Sequence, residues 1–515
     1  MARTRTDARR PNGRPGVSPT TVLLVVLLVG VVGGGVVLAL HQPAAAGALV
    51  GIGVLLVLRL RMKTLALVLV AACLLAPVLE TGLRLDFLTY IDEATSVFLG
   101  VVVPLVLRLT GKKLDRLPGQ SFLLITLALG LVSSVVAGVS AASTGQGAFL
   151  LLKMPLLAFG LAQLDWDASD ARRIARWIVG LAIPVVGLSV AANVALGRTW
   201  VDLVSGGVGG YIDFRYGLLS SQGIFSHPLV LGNIAGILAL GAFATSVHLP
   251  NIRFARVATV VALVASVASF RRTAIVGAFG ALFLVWPKKV RVVLVVGGLV
   301  LVPLAALSLA SAIVETFSTT LDEYVYTSAP AARTRLLLGA VQVAGDHAPL
   351  GAGFARYGSY LAGVEYSPEY LKLGFDNVWG LSNIPGMSGA FLTDTQWPVL
   401  VGETGWIGCA AFIVFLVHVY RSFAAAGLRR DPHLQWISTF GKGAFIVAAF
   451  ASVGLPVFTS TPVASLLFTL LGISIALQRV IEPDGDAEEP GPAAGGARQG
   501  TASRRAIVHG GGRRG

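Results

Sequence analysis

Long uninterrupted apolar runs are the feature that most limits what this chain can fold into. Runs of about 15–23 residues recur from Thr21 to Leu477, and that length matches the hydrocarbon core of a bilayer. A helix of a soluble protein is apolar on one face and is rarely apolar all round for so long. The sequence therefore predicts an all-α, polytopic integral membrane protein whose helices form a bundle.

The spacing of these runs predicts about fourteen transmembrane helices (12–14). Prolines inside several of the runs predict kinks, which helix bundles tolerate. The arginines that precede the first run resemble the start of a signal peptide, but the run is long and many others follow, so we favour an uncleaved first helix. The predicted spans are 21–40, 44–60, 64–79, 94–109, 121–141, 148–164, 174–196, 228–247, 256–270, 273–286, 290–313, 398–420, 436–456 and 459–478.

The gaps between the runs divide the chain into five parts. We expect disordered cytoplasmic tails at 1–20, which is basic, and at 479–515, which is rich in Gly, Pro, Ala and Arg. The stretch 21–313 holds helices 1–11, and 398–478 holds helices 12–14. Between them, 314–397 forms one large extracytoplasmic loop, the only sizeable soluble part.

The net charge of +14 does not predict a nucleic-acid partner, because thirty of the 40 Lys and Arg residues fall in alternate short gaps and in the two tails. Cytoplasmic loops of membrane proteins carry such an excess of cations. The pattern predicts a multi-pass protein of the plasma (inner) membrane with both termini in the cytoplasm. The two cysteines lie inside apolar runs and form neither a disulfide framework nor a metal-ligand pattern.

Ten cations remain on the extracytoplasmic side and need another explanation. The guanidinium group of Arg matches two phosphate oxygens at once, so an enzyme that acts on an anionic lipid would use arginines there. The adjacent Arg271 and Arg272 are the sharpest candidates for a diphosphate clamp, with snorkelling to outer headgroups as the alternative. The ten residues are Arg84, Lys153, Arg198, Arg215, Arg271, Arg272, Arg333, Arg335, Arg356 and Lys372.

The large loop continues this pattern. Arg333 and Arg335 precede the apolar-periodic stretch 336–344, which we expect to be an amphipathic helix along the membrane. A Gly-rich turn at 349–354 follows, in which two glycines permit a tight backbone path. Lys153 is a further candidate for phosphate binding, although a lysine near the outer end of a span can simply snorkel.

Two carboxylates before and inside a late span are candidates for a general base. Asp394 precedes the span, and Glu403 lies within it, where an ionisable side chain is a functional hypothesis by default. A structural ion pair is the alternative for Glu403. His227 is expected to begin a helix rather than to catalyse. The outer acidic pairs show no metal-ligand spacing, and we expect a mechanism without metal or cofactor.

Tyrosine and tryptophan are concentrated on the predicted outer side, and six of the tyrosines lie in the large loop. Their flat apolar faces and polar tips suit stacking against sugars. An aromatic belt at the membrane interface explains the same bias equally well.

Four segments, in order along the chain, resemble motifs of the O-antigen ligase and Wzy-type polysaccharide polymerase superfamily. The first is similar to the family's loop that leads into a span, and the second to its Ser-Arg-Gly/Ala start of a span. The third is similar to the family's arginine, helix and Pro-Leu-x-Gly-x-Gly run, and the fourth to its His-Asn-x-Tyr-Leu motif followed by Glu-x-Gly-x-x-Gly. The family places an arginine before the first segment, and Arg215 is the nearest one here. The segments are 223–232, 269–272, 335–353 and 394–408.

The resemblance implies a membrane glycosyltransferase that joins a polyprenyl-diphosphate-linked oligosaccharide to a glycan acceptor on the outer face. Arg272 and Arg335, helped by Arg215 and Arg271, would hold the diphosphate. Ligases of the family have a histidine where this chain has Asp394, and this difference favours a polymerase over a ligase.

A flippase or another transporter of lipid-linked oligosaccharides is the alternative from a different class. Transporters typically carry charges at the membrane midplane, whereas the charges of this sequence, including the pair Asp92 and Glu93, are expected near the outer face.

Overall fold

A computed structural model of the chain describes residues 62–83, 90–204, 212, 214–215, 218–286, 332–383, 391–393 and 395–481. Several predictions lie outside these residues. They concern the tail 1–20, the spans 21–40, 44–60 and 290–313, Asp394, and nearly all of the tail 479–515.

The described residues are mostly helical. Two π-helical turns, Phe98–Val102 and Ala182–Leu188, interrupt helices. A short antiparallel hairpin pairs β1 (Phe214–Arg215) with β2 (Leu218–Leu219). The α-helices are α1 (Met62–Leu83), α2 (Ile91–Val97), α3 (Val103–Leu109), α4 (Gln120–Val136), α5 (Ala141–Ala162), α6 (Ala168–Leu181), α7 (Ser189–Leu196), α8 (Arg198–Val204), α9 (Pro228–His248), α10 (Ala255–Ala268), α11 (Arg272–Val285), α12 (Ala332–Asp346), α13 (Tyr360–Glu365), α14 (Pro368–Lys372), α15 (Gln396–Ala426), α16 (Pro432–Ala451) and α17 (Val463–Ile481).

Every predicted span that falls in the described residues coincides with helix. Four shorter helices are also apolar, namely the part of α1 up to Ala76, α4, α10 and α11. The chain is thus an all-α protein with several helices of membrane-spanning length, and the count of about fourteen stays a prediction. Within the described residues, the six helices long and apolar enough to cross a membrane are Ala141–Ala162, Ala168–Leu196, Pro228–His248, Gln396–Ala426, Pro432–Ala451 and Val463–Ile481.

Two helices begin six or seven residues before the predicted spans, because polar capping residues start them outside the apolar run. The Ser140 hydroxyl accepts a hydrogen bond from Ser143 N at 3.1 Å at the start of α5. Asp167 and Asp170 form a capping box at the start of α6. His227 begins α9, where its Nδ1 accepts from Leu229 N, as predicted.

Small residues let neighbouring helices approach closely. A Cβ on Gly236 of α9 would lie only 2.9 Å from the Cβ of Ala278 in α11, and Gly232 meets Ala274 one turn earlier. Without a hydrophobic driving force between them, helices in lipid associate through such close backbone contacts. The register makes α9 and α11 parallel, so both helices begin at the same end of the bundle.

One end of the bundle, here called the basic end, is held by ion pairs between distant parts of the chain. Lys63 at the start of α1 contacts Asp170 at the start of α6, with 2.5 Å between Nζ and Oδ2. Lys112, between α3 and α4, lies 2.8 Å from Asp165, and Arg479 at the end of α17 lies 2.9 Å from the same carboxylate. The cations that the sequence assigns to the cytoplasm therefore meet at one end.

The opposite end, here called the loop end, receives the described residues of the stretch 332–395. Helix α4 runs antiparallel to α15: Thr126 Oγ1 donates to Gly408 O at 3.0 Å, and nearer the loop end Ser133 Oγ accepts from Gly351 N at 3.2 Å. The end of α4 and the beginning of α15 therefore lie together.

The start of α11 belongs to the same end. A Cβ on Gly277 in the first half of α11 would lie 3.3 Å from the Cβ of Phe450, close to the end of α16. Just beyond α16, Ser452 O accepts from the backbone N–H of Gln396, the first residue of α15, at 3.2 Å. The end of α16 thus lies next to both the first half of α11 and the beginning of α15.

Candidate active site at the loop end

The turn between α10 and α11 presents Arg271 and Arg272 at the loop end. Phe270 has a φ of 49°, in the left-handed region, so the chain reverses sharply there. The backbone N–H of Arg271 donates to Ser269 Oγ at 3.3 Å, and Arg272 is the first residue of α11. Both arginines therefore lie beside the positive end of a helix dipole.

A neighbouring loop fixes this arginine turn. The Ser220 hydroxyl donates to Ser269 O at 2.9 Å, and Ser221 N donates to Ala268 O at 2.9 Å. The first and second motif segments are thus brought together, because the loop leads directly into 223–232.

Asn193, at the end of α7, organises the same loop, and the sequence analysis missed it. Its Oδ1 accepts from Ser221 Oγ at 3.0 Å, from Gln222 N at 2.8 Å and from Gly223 N at 3.2 Å. Asn193 is fully buried. An asparagine inside a long apolar run was the only available signal, and its partners lie about thirty residues away.

Replacing Asn193 by Ala should lower the free energy of unfolding by about 3 kcal/mol, because three buried donors lose their acceptor at once. Ser221→Ala is the matched control, since it removes one donor and leaves the other two bonded, and it should cost about 1 kcal/mol. Unfolding of the purified protein in mixed micelles measures both values. Equal effects of the two variants would contradict the role given to Asn193.

The Gly-rich segment 349–358 forms a buried loop that inserts between α4 and α15. The Ser134 hydroxyl accepts from Phe354 N at 2.8 Å. On the other side, Ala352 N donates to Gly402 O at 2.8 Å and Gly353 N donates to Glu403 O at 3.1 Å. The third and fourth motif segments are therefore packed directly against each other.

A break in α15 makes this contact possible. Gly405 has a φ of 69° and a ψ of −179° inside the helix. A residue with these angles interrupts the helical hydrogen bonds, which frees the carbonyl groups of Gly402 and Glu403 to accept from the loop. Gly353 also has a positive φ, 91°, so the prediction that glycine permits a tight backbone path is confirmed there.

Glu403 holds this loop with its side chain. Its carboxylate accepts from the Ser359 hydroxyl at 2.5 Å and from Tyr357 N at 3.4 Å, and the residue is 3 % exposed. A general base must reach the acceptor hydroxyl, and this carboxylate is closed off by the loop it binds. The geometry therefore favours Glu403 as a residue that positions the loop, and the base role stays a prediction.

Two loop tyrosines are buried in protein and cannot stack on a sugar. Tyr357 donates to Leu336 O at 2.6 Å and ties the loop to α12, while Tyr370 accepts from Gly358 N at 2.7 Å. Burial raises the pKa of both phenols above their usual range. Tyr360 and Trp379 are 68 % and 67 % exposed, so they remain candidates for stacking.

The second arginine pair lies in the first turns of α12, which confirms the predicted helix after these residues. The guanidinium carbon of Arg333 lies 5.3 Å from the ring centre of Phe391, a cation–π distance. Nε of Arg335 is buried and has no hydrogen-bond partner among the described residues. Arg215 is described only through its backbone, in β1.

Lys153 lies elsewhere. It is twelve residues from the start of α5, about 18 Å along the helix. Its ammonium group lies 2.8 Å from Asp92 and 2.9 Å from Glu93, both in the first turn of α2. Their expected place near the outer face stays a prediction. Lys153 does not join the arginines at the loop end.

Buried polar side chains near the loop end add to the candidate site. Neither polar atom of the Asn233 amide has a partner among the described residues, and the same holds for Nε2 of Gln396 and Oε1 of Gln222. All three residues are at most 1 % exposed. Buried amides of this kind require a polar partner, such as water or a hydroxyl-rich ligand.

The resemblance to the O-antigen ligase superfamily rests on the four segments, which the structure brings together as two pairs at the loop end. The pairs are connected through the end of α16, where Ser452 contacts the first residue of α15. No protein-family model matches the chain, and no curated protein matches it in sequence.

Proposed function

We propose that the protein is a membrane glycosyltransferase of the Wzy polymerase type, similar to O-antigen ligases. It joins a polyprenyl-diphosphate-linked oligosaccharide to a glycan acceptor at the loop end of the bundle. The reaction is metal-independent, because the diphosphate leaving group is neutralised by arginines.

The placement of the two arginine pairs carries this proposal. Arg271 and Arg272 lie at the N-terminus of α11, and Arg333 and Arg335 lie in the first described turns of α12. Cations are unfavourable at helix N-termini because the helix dipole is positive there. A bound anion makes a cation favourable at this position, since helix N-termini and guanidinium groups both bind phosphate.

In this mechanism the acceptor hydroxyl attacks the anomeric carbon of the donor sugar. The bond between that carbon and the diphosphate oxygen breaks, and the arginines stabilise the charge that develops on the leaving group. Asp394, two residues before α15 in the sequence, is the proposed base that takes the hydroxyl proton. Glu403 positions the loop 349–358 instead, and we leave Lys153 out of the site.

The arrangement of cations supports a location in the plasma membrane with the loop end outside. The basic end carries the lysines and arginines that topology rules place in the cytoplasm. With about fourteen spans (12–14), both termini are cytoplasmic and 314–397 is extracytoplasmic. The proposed partners are the lipid-linked donor, the glycan acceptor and the bilayer.

A transporter of lipid-linked oligosaccharides is the second candidate. The ion cluster of Asp92, Glu93 and Lys153 favours it, because transporters use buried charges as coupling sites. The concentration of arginines and buried amides at one end favours the enzyme.

Mass spectrometry of polyprenyl-linked glycans in cells that lack the protein tests the proposal. A polymerase predicts that single repeat units accumulate on the lipid while long chains vanish, because chain extension is the lost step. Long lipid-linked chains that fail to reach their acceptor would instead identify a ligase. An unchanged pool would contradict both activities, and accumulation confined to the cytoplasmic leaflet would identify the transporter.

A further inference from the structure

An ion cluster joins α2 and α5. Lys153 of α5 contacts two carboxylates in the first turn of α2, Asp92 at 2.8 Å and Glu93 at 2.9 Å. The side chains of Lys153 and Asp92 are each 8 % exposed, and that of Glu93 is 25 % exposed. Lys153 lies twelve residues from the first residue of α5 and nine from the last, about 18 Å and about 14 Å along the helix.

The charges of this cluster do not balance. Two carboxylates face one ammonium group, which leaves one negative charge if both acids are ionised. Both carboxylates contact the same nitrogen and therefore lie within about 6 Å of each other, a distance at which like charges repel strongly in a buried site. An uncompensated charge in a membrane interior is costly.

Polar groups around the cluster also lack partners. Oε2 of Glu93 is buried and accepts no hydrogen bond from the described residues. Thr95 and Ser96 follow Asp92 by three and four residues, which places them on the same helix face. Both are fully or almost fully buried, and neither hydroxyl has a partner within the described part of the chain.

We propose that the cluster of Asp92, Glu93 and Lys153 is a proton-binding site in which Glu93 holds one exchangeable proton. The proton balances the charge, and the protonated carboxyl can donate the hydrogen bond that its free oxygen lacks. When the proton leaves, one uncompensated charge remains between α2 and α5. The packing of these helices thereby depends on pH, whichever function the loop end performs.

The surroundings favour a proton over a metal ion. A metal cation would lie next to the Lys153 ammonium group and be repelled by it. Among the described residues, no three His, Cys, Asp or Glu side chains form a group that could hold a metal. Cys73 of α1 is a further titratable group that interacts electrostatically with the cluster. Its thiol donates to Ile91 O at 3.8 Å. Its neutral thiol does not change the charge count.

Infrared spectroscopy of the purified full-length protein in lipid nanodiscs tests this inference. The wild type at neutral pH should show the carbonyl band of a protonated carboxyl group, and Glu93→Gln should lose the intensity of one such group. Asp92→Asn should lose it too, because one carboxylate and one ammonium group then balance. Asp170→Asn at the basic end is the control, since Asp170 already pairs with Lys63, and it should leave the band unchanged.

Thermal unfolding over a range of pH gives an independent readout. A proton held by the folded protein and released on unfolding makes stability fall as pH rises. The wild type should therefore lose stability between the pH at which a glutamate ordinarily ionises, about 4.3, and the pH at which the band disappears, and lose no more above it. Glu93→Gln should remove this part of the pH dependence, whereas Asp170→Asn should retain it. A band of undiminished intensity in both Glu93→Gln and Asp92→Asn would overturn the inference, as would stabilisation of the wild type by sodium at fixed pH.

Discussion

Replacing Arg271 and Arg272 together by alanine is expected to lower glycan transfer at least about 100-fold, the effect of removing a group that stabilises a leaving anion. Single repeat units should then accumulate on the lipid in the extracytoplasmic leaflet, as in cells that lack the protein. The conservative variant with two lysines keeps the charge and loses the planar fork, so it should retain part of the activity. Mass spectrometry of the lipid-linked pool measures all variants.

A pair of arginines at the opposite end provides the matched control. Arg253 and Arg256 lie between α9 and α10 and at the start of α10, and both are exposed. Their replacement by alanine removes the same charge from the basic end and should leave transfer unchanged. Gel filtration should show that every variant remains folded. Equal activity of the two alanine pairs would contradict the proposed diphosphate site.

The positions of the helices follow from the sequence because apolar runs are a local signal. The exact starts of the helices do not follow from the sequence, because N-cap residues lie outside the apolar runs. Ser140 and Asp167 cap helices that begin before the hydropathy pattern predicts. Because α5 begins at Ala141, Lys153 lies about halfway along the helix.

The candidate site depends on contacts that no local pattern contains. Asn193 and Ser221 are 28 residues apart, and Ser359 and Glu403 are 44 residues apart. An acidic side chain inside a span indicates a functional or a structural role equally well. The structure distinguishes the two roles for Glu403, because hydrogen-bond donors of the surrounding loop occupy its carboxylate.

The glycines of the buried loop were the more informative local signal, since only a residue without Cβ fits so close to another backbone. A Cβ on Gly351 would overlap the carbonyl group of Glu403 and lie 2.6 Å from Gly405 N. Both neighbours are backbone atoms, so no change of rotamer can relieve the overlap. The position therefore requires glycine whatever the chemistry of the site.

Gly351→Ala should therefore destabilise the protein by more than about 4 kcal/mol, the range in which single substitutions abolish folding. The expected result is little folded protein in the membrane and a strongly lowered melting temperature. Gly345→Ala is the matched control, because nothing lies within 4 Å of a Cβ there. Gly345 belongs to α12, where alanine favours the helix by up to about 1 kcal/mol. If Gly351→Ala were as stable as Gly345→Ala, the segment 349–358 would not lie between α4 and α15, and the proposed link between the third and fourth motifs would fail.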